Sequence, residues 1–270
     1  MDRGPYSEVL SLLNANPNWE VYGSVEDVSG HYVHYNSTRV ELQSEGDMES
    51  EDPAALEAAS ASVAKLEAAL QDQVRTWNRE LEKQLYSSLE AAQSDETLTD
   101  WMEANEWRFD DEGNRIDMSK FMPVDNLQPG IRDRVLKEYA DLFDRTPEQV
   151  YTALMQRNYR FDKRGNRVDV SQFVQVSDLE DGVRKEVLEK YRNLLTEDNG
   201  WAEPDEDDWK ERLQHYGFGM VSIRYSLGYS QGDGASFTAK GIDVKKLCSE
   251  MVKEQRTKAT AESLVTCLIA

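Results

Sequence analysis

Residues 105–142 recur 52 positions later as residues 157–194, with 17 of 38 positions identical and no gap. The shared letters run R-F-D-x-x-G-N-R-x-D-x-S-x-F-x-x-V-x-x-L, followed by G-x-R-x-x-V-L-x-x-Y. A duplication of this length constrains the chain more than any other feature. Both copies must bury the same apolar positions and make the same turns.

Each copy reads as helix, hairpin, helix. Ser94 and Thr146 stand where an N-cap is wanted, with Glu96 and Glu148 in the first turn and Pro147 at the first helical position. Leu98, Trp101 and Met102 follow at helical spacing in the first copy, and Val150, Ala153 and Leu154 in the second. Trp107-Arg108-Phe109 and Tyr159-Arg160-Phe161 alternate as strands do. Gly113-Asn114 and Gly165-Asn166 supply the turn before the short strands at 115–118 and 167–170. A loop then leads past Gly130 or Gly182 into an amphipathic helix. The predicted fold class is α+β and mainly helical. The predicted segments are 1–52 (acidic, with short strands), 53–93 (a long helix), 94–145 and 146–197 (two repeat units), and 198–270 (a β-hairpin with helices).

The D-x-x-G-N-x-x-D core invites comparison with a calcium loop, which places Asp at position 1 and Gly at position 6. Counting back from Gly113 and Gly165 puts Arg108 and Arg160 at position 1. An arginine cannot ligate a cation, so the string reads as a polar hairpin turn. No cofactor or metal is expected.

Residues Pro53 to Gln93 contain no further Pro and no Gly. Val63, Leu66, Leu70, Val74, Trp77, Leu81 and Leu85 are spaced 3, 4, 4, 3, 4, 4, which keeps them on one helix face. At ~1.5 Å per residue this helix is about 60 Å long. Its stripe either packs on the rest of its own chain or pairs two chains as a homodimer through residues 63–85.

Elsewhere, Tyr6 to Leu13 reads as a short helix. Strand-like runs lie near Trp19 to Tyr22, Tyr32 to Tyr35 and Arg39 to Leu42. Glu41 to Asp52 and Gly200 to Asp208 read as acidic connectors. Trp209 to Tyr216 looks helical, Met220 to Tyr225 and Ala235 to Thr238 look like strands, and Asp243 to Lys253 and Ala259 to Leu268 read as two terminal helices. No apolar run approaches the ~20 residues of a membrane span, and MDRGPYSEVL lacks the pattern of a signal peptide. Cys248 and Cys267 are too few for a disulfide framework and read as buried thiols.

Catalytic patterns are weak. Gly228-Tyr229-Ser230-Gln231-Gly232 spells G-x-S-x-G. A nucleophile elbow needs a helix directly after the serine, and its histidine later in the chain. Gly232-Asp233-Gly234 follows instead, and His31, His34 and His215 all precede Ser230. A glycine-rich hairpin loop explains the same letters. His31 and His34 sit in strand-like sequence with no third ligand nearby. Asp205, Glu206, Asp207 and Asp208 either hold a hard cation or form a solvated helix start that suits the helix dipole. A non-catalytic protein is the expectation, with a hydrolase using Ser230 as the alternative from another class.

The run from Tyr225 to Phe237, Y-S-L-G-Y-S-Q-G-D-G-A-S-F, resembles a Y-S-G-F-x-S-Q-G-D-G-A-S-F signature of uncharacterised bacteriophage-encoded acidic proteins, sometimes labelled antitoxin-like. The helix from Trp77 to Leu89 and the Asn158-Tyr159-Arg160-Phe161 hairpin with Gly165 match their order. Leu227-Gly228-Tyr229 replaces the signature's Gly-Phe, and the duplicated hairpin is a further departure. The resemblance implies a phage origin, hence the host cell cytoplasm and a role against a host system. It brings no chemistry with it.

The chain holds 52 acidic and 31 basic residues, a net charge of -21. Direct binding to nucleic acid or to an anionic membrane is therefore not expected. The first repeat unit carries -7 and the second zero. Two copies of one fold that differ by seven charges differ in surface use. The expected partner is a host defence protein with a basic surface, such as a nucleic-acid groove that an acidic protein could occupy as a DNA mimic. The alternative is neutralisation of a toxin. The residues expected to bind it are Asp110, Asp111, Glu112 and Asp117 around the first hairpin, with Asp205, Glu206, Asp207 and Asp208.

Overall fold

The computed structural model describes residues 4–28, 38–45, 53–227 and 232–269, the last nine as helix without their side chains. The protein is α+β and mainly helical, with small antiparallel sheets and a β-hairpin near the C-terminus. It divides into two compact units, Met1–Glu90 with Asn199–Ala270, and Ala91–Asp198.

The first unit joins the two ends of the chain through one sheet. Helix α1 (Pro5–Ala15) starts on proline and buries Tyr6, Val9 and Leu13 on one face. Strands β1 (Glu20–Asp27) and β2 (Thr38–Glu45) pair from Glu20↔Glu45 to Asp27↔Thr38. From the far end of the chain come α7 (Glu203–His215), β7 (Phe218–Ser226), β8 (Gly234–Ile242) and α8 (Val244–Ile269). Because β1 pairs with β8 at Ser24↔Lys240 and Val25↔Ala239, the sheet order is β2-β1-β8-β7. Strand β8 is central, and Ala235, Ser236, Phe237 and Ala239 are all buried. The A-S-F end of the signature-like string therefore belongs to this core.

Helix α2 (Pro53–Ala92) lays its stripe into the same core. Leu66, Leu70, Val74, Trp77, Leu81 and Leu85 are all at most 2% exposed. The stripe thus meets its own chain, edge-on at Phe218 with ring centroids 5.8 Å from Trp77. Polar side chains on α2 also serve β2, the edge strand. Gln71 donates to Thr38 O (2.8 Å) and accepts from Val40 N (2.6 Å), and Glu67 accepts from Leu42 N (3.0 Å). Buried Asn78 donates to Thr38 Oγ1 (2.9 Å) and accepts from Phe237 N (3.2 Å). The Gln71 and Glu67 bonds satisfy backbone groups that an edge strand leaves open, and Asn78 ties α2 to the central strand β8 as well.

Two sequence-based expectations change here. The two terminal helices are one, α8, since nothing between Lys253 and Ala259 breaks a helix. The 200–208 connector ends early: α7 begins at Glu203 with Pro204 in its first turn, so Asp205 to Asp208 form the helix start that the sequence offered beside a cation site. The strand-like run Tyr32 to Tyr35, with His31 and His34, lies outside the described residues.

The second unit contains α3 (Asp95–Ala104), β3 (Arg108–Phe109), β4 (Arg115–Ile116) and α4 (Pro129–Phe143), then α5 (Pro147–Gln156), β5 (Arg160–Phe161), β6 (Arg167–Val168) and α6 (Asp181–Lys190). Ser94 caps α3 by accepting from Thr97 N, and Thr146 caps α5 in a capping box with Gln149. Two 3-10 turns separate each hairpin from the helix that follows.

Packing inside this unit does not follow the chain. One core joins Leu98, Met102, Trp107 and Phe109 from the first copy to Val176, Leu179, Val187 and Leu188 from the second. The other joins Val124, Leu127, Val135 and Ala140 from the first copy to Val150, Leu154 and Phe161 from the second. Each core combines the leading half of one copy with the trailing half of the other.

Backbone bonds cross in the same reciprocal way. Phe109 and Val174 exchange two bonds of 3.0 Å, and Met122 and Phe161 exchange two of 2.9 Å. Phe121 and Phe173, a matched pair, stack 5.8 Å apart. Each of these contacts thus has its equivalent at the positions 52 residues away.

The turn glycines seal the exchange. Gly113 and Gly165 sit at φ +78° and +83°. A Cβ on Gly113 would fall 2.8–2.9 Å from Val187 and Val183 of α6, and one on Gly165 2.8 Å from Ile131 and Val135 of α4. Each hairpin lies against the trailing helix of the other copy, too closely for any side chain.

Candidate functional site

Asp110 and Asp117 bracket the first hairpin. Asp110 Oδ1 accepts from the backbone N–H of Asn114 (2.8 Å) and of Glu112 (3.1 Å), and Oδ2 accepts from Asn114 Nδ2 (3.1 Å). Asp117 Oδ1 accepts from Ser119 N (3.1 Å) and Ser119 Oγ (2.5 Å), capping the following 3-10 turn. The second copy repeats both arrangements with Asp162 and Asp169.

All four carboxyl groups are held below the usual carboxylate range. For Asp110 the leading cause is the backbone N–H of Asn114, and for Asp162 the Asn166 side chain. For Asp117 and Asp169 it is the hydroxyl of Ser119 and of Ser171. These aspartates are identical in the two copies because the turn needs them.

Asp111 and Glu112 differ. Both are exposed at the hairpin tip, and their counterparts are Lys163 and Arg164. Asp111 has no ion pair among the described residues, and Glu112 meets Asn114 Nδ2 at 3.5 Å. Of the four hairpin positions, these two present charge that the turn does not use.

The second acidic group lies in the other compact unit, on the first turns of α7. Asp205 accepts from Ser88 Oγ. Glu206 and Asp207 both pair with Lys210, at 3.1 and 3.4 Å. Asp208 is exposed. The group largely builds its own helix end. Among the described residues, no three His, Cys, Asp or Glu side chains converge as a metal site would require. Ser230 lies outside the described residues. Cys248 is buried, and burial pushes its thiol up to about 12. No described helix is long and apolar enough to cross a membrane.

Summing charge by core rather than by copy sharpens the asymmetry. Residues 94–117 with 170–197 surround the first core and hold fifteen acidic and six basic residues, a net of -9. Residues 118–145 with 146–169 surround the second and hold eight acidic and ten basic, a net of +2. The exchange of halves widens a difference of seven charges between copies to eleven between lobes. Arg134 of α4 donates to Arg164 O beside the basic hairpin, while its counterpart on α6 is Glu186.

The lobes differ in packing as well. In the acidic lobe Trp101 meets Trp107 edge-on at 5.3 Å. The counterparts in the basic lobe are Ala153 and Tyr159, and both line an open pocket of about 180 Å³. Sequence reasoning passed over this pocket, although the unlike pair Trp101 and Ala153 was already visible in the alignment of the copies.

No protein-family model, no curated protein and no solved structure matches this chain.

Proposed function

We propose that this chain is a non-catalytic, phage-encoded inhibitor that binds a basic surface on a host defence protein through the acidic lobe of its 91–198 unit. The observation that carries the reading is the segregation of charge between two lobes built from the same repeated sequence. A net of -9 on one lobe and +2 on the other concentrates a field that speeds encounter with a basic surface and repels acidic ones. Occupation of a nucleic-acid groove as a DNA mimic is one form such binding would take. The resemblance of the 225–237 string to phage proteins supports the setting.

A finer structural proposal goes with it. The copies 94–145 and 146–197 are equivalent helix-hairpin-helix units related by a two-fold axis, and they diverged in surface charge while keeping their turns. An experimental structure in which the two segments do not superpose would end that proposal.

The functional test is capture of host proteins on the immobilised chain, repeated with Asp111→Lys and Glu112→Arg together. The swap copies the second hairpin tip into the first. We expect a basic protein to be retained by the wild type, with slower association for the swap and in added salt, since screening acts beyond about 8 Å. Association that ignores both would sink the electrostatic account. An antitoxin would instead rescue cells from a cognate toxin. Loss of a measured turnover in Ser230→Ala, with the fold intact, would favour a hydrolase.

A further inference from the structure

We infer that the Ala153 pocket of the basic lobe is a docking site for an aromatic side chain carried on an acidic peptide segment of a partner protein. This site is separate from the acidic lobe, and its test succeeds or fails independently of the function proposed above. Phe143, Val150, Leu154 and Tyr159 line the pocket around Ala153, and Arg145 and Arg157 stand at its rim.

The molecule itself shows what such a place accommodates. At the matching position of the other lobe, Trp101 lies edge-on to Trp107, the counterpart of Tyr159. Leu194 and Leu195 also pack on that core. Their counterparts Leu142 and Phe143 stay 71% and 44% exposed. Replacing Trp by Ala removes the ring that the acidic lobe supplies to itself. An incoming ring would meet apolar walls of the same kind, and aromatic pairs favour such edge-on contact.

Charge decides which partner fits. Among the described residues neither Arg145 nor Arg157 forms an ion pair, and both are exposed. Their counterparts in the acidic lobe are Glu197 and Asn105. The rim therefore selects carboxylates where the other lobe would repel them, and a guanidinium can grip a carboxylate with two bonds.

Size argues for a peptide over a free small molecule. The pocket's volume of about 180 Å³ is below the roughly 300 Å³ at which small-molecule sites begin. It has room for one ring, with further contact left to exposed Leu142 and the arginines. An aromatic anchor in a pocket with charges at the rim is the usual arrangement of an interface hot spot.

The test uses the full chain and a fluorescein-labelled peptide, Asp-Glu-Trp-Glu-Asp, followed by anisotropy. Saturable binding that weakens with salt is expected. Replacing the peptide's Trp by Ala should weaken it at least ~tenfold, as should Arg145→Glu with Arg157→Glu in the protein. Ala153→Trp copies the plug of the other lobe and should abolish binding. Circular dichroism of each variant verifies the fold, and the exposed arginine pair gives a test that does not disturb the core. Absence of saturation, or binding unchanged in both variants, overturns the proposal. Displacement of the peptide by free indole-3-acetate at equal concentration also overturns it, in favour of a small-molecule site.

Discussion

The two lobes of the 91–198 unit share turns, caps and core positions, yet one is acidic with its aromatic pocket filled and the other is mildly basic with the pocket open. The contrast separates what the fold requires from what the surface is free to do. Asp110 and Asp162, Asp117 and Asp169, Gly113 and Gly165 are retained in both lobes because each makes a turn or fits against a helix. Asp111 and Lys163, Glu112 and Arg164, Trp101 and Ala153 differ because the turn and backbone are indifferent to them. Paired positions within one chain thus act as their own control: identity marks structure, and difference marks use.

Breaking the comparison at its base should have the largest effect. Phe109→Ala and Phe161→Ala each empty a fully buried position, one in each core. Each should cost about 3–5 kcal/mol in urea unfolding. Because each core draws on both copies, either change should loosen segments far apart in sequence. Hydrogen exchange after Phe109→Ala should show lost protection in α6 as well as α3. Loss confined to residues 94–145 would contradict the exchanged packing.

A somewhat smaller effect is expected at the aromatic position, with opposite signs in the two lobes. Trp101→Ala should destabilise by ~1–3 kcal/mol through lost burial, whereas Ala153→Trp should be neutral or stabilising by up to about 1 kcal/mol. Thermal unfolding of the two variants and the double exchange measures this. Destabilisation by both would mean that the pocket is not a vacant counterpart of the Trp101 site.

The turn carboxylates should respond to acid together. Their folded pKa values lie below the ordinary carboxylate value. Their contribution is therefore present above about pH 4, the unfolded range, and is lost as pH falls through the folded values. Asp110→Asn with Asp162→Asn should flatten the dependence of stability on pH below that range and leave it unchanged at pH 7 apart from a constant offset. An unaltered slope would show that these bonds do not depend on ionisation.

The smallest effect on stability should come from the Asp111→Lys, Glu112→Arg swap, within about 0.5 kcal/mol, because exposed tip residues carry no packing. A larger loss would mean that the tip charges belong to the fold after all.

Much of the local structure was legible in the chain. Periodicity placed α2 to within a residue and named six of its buried side chains. Ser94, Thr146 and Pro147 marked helix starts, and Gly-Asn marked both hairpins. The bounds of elements went astray in polar stretches. The α8 helix runs through 254–258, and the acidic 205–208 run belongs to α7. The candidate site was legible only in part. Charge singled out Asp110 and Asp117 along with Asp111 and Glu112, although their identity in both copies already pointed to a structural task.

What the sequence by itself determined is the duplication, the apolar faces, the caps and the turn glycines. These depend on spacings of a few residues, within which propensity and side-chain reach operate. Only the tertiary structure decided which copy's hairpin packs on which helix, and that β1 from one end pairs with β8 from the other. Similar copies present similar apolar faces, so a hairpin finds a comparably suitable helix in its own copy or in its neighbour. Periodicity cannot distinguish the two, and the choice falls to chain connection and close fit across the whole unit. That choice also set the charge of each lobe, and with it the contrast between a filled acidic surface and an open basic pocket.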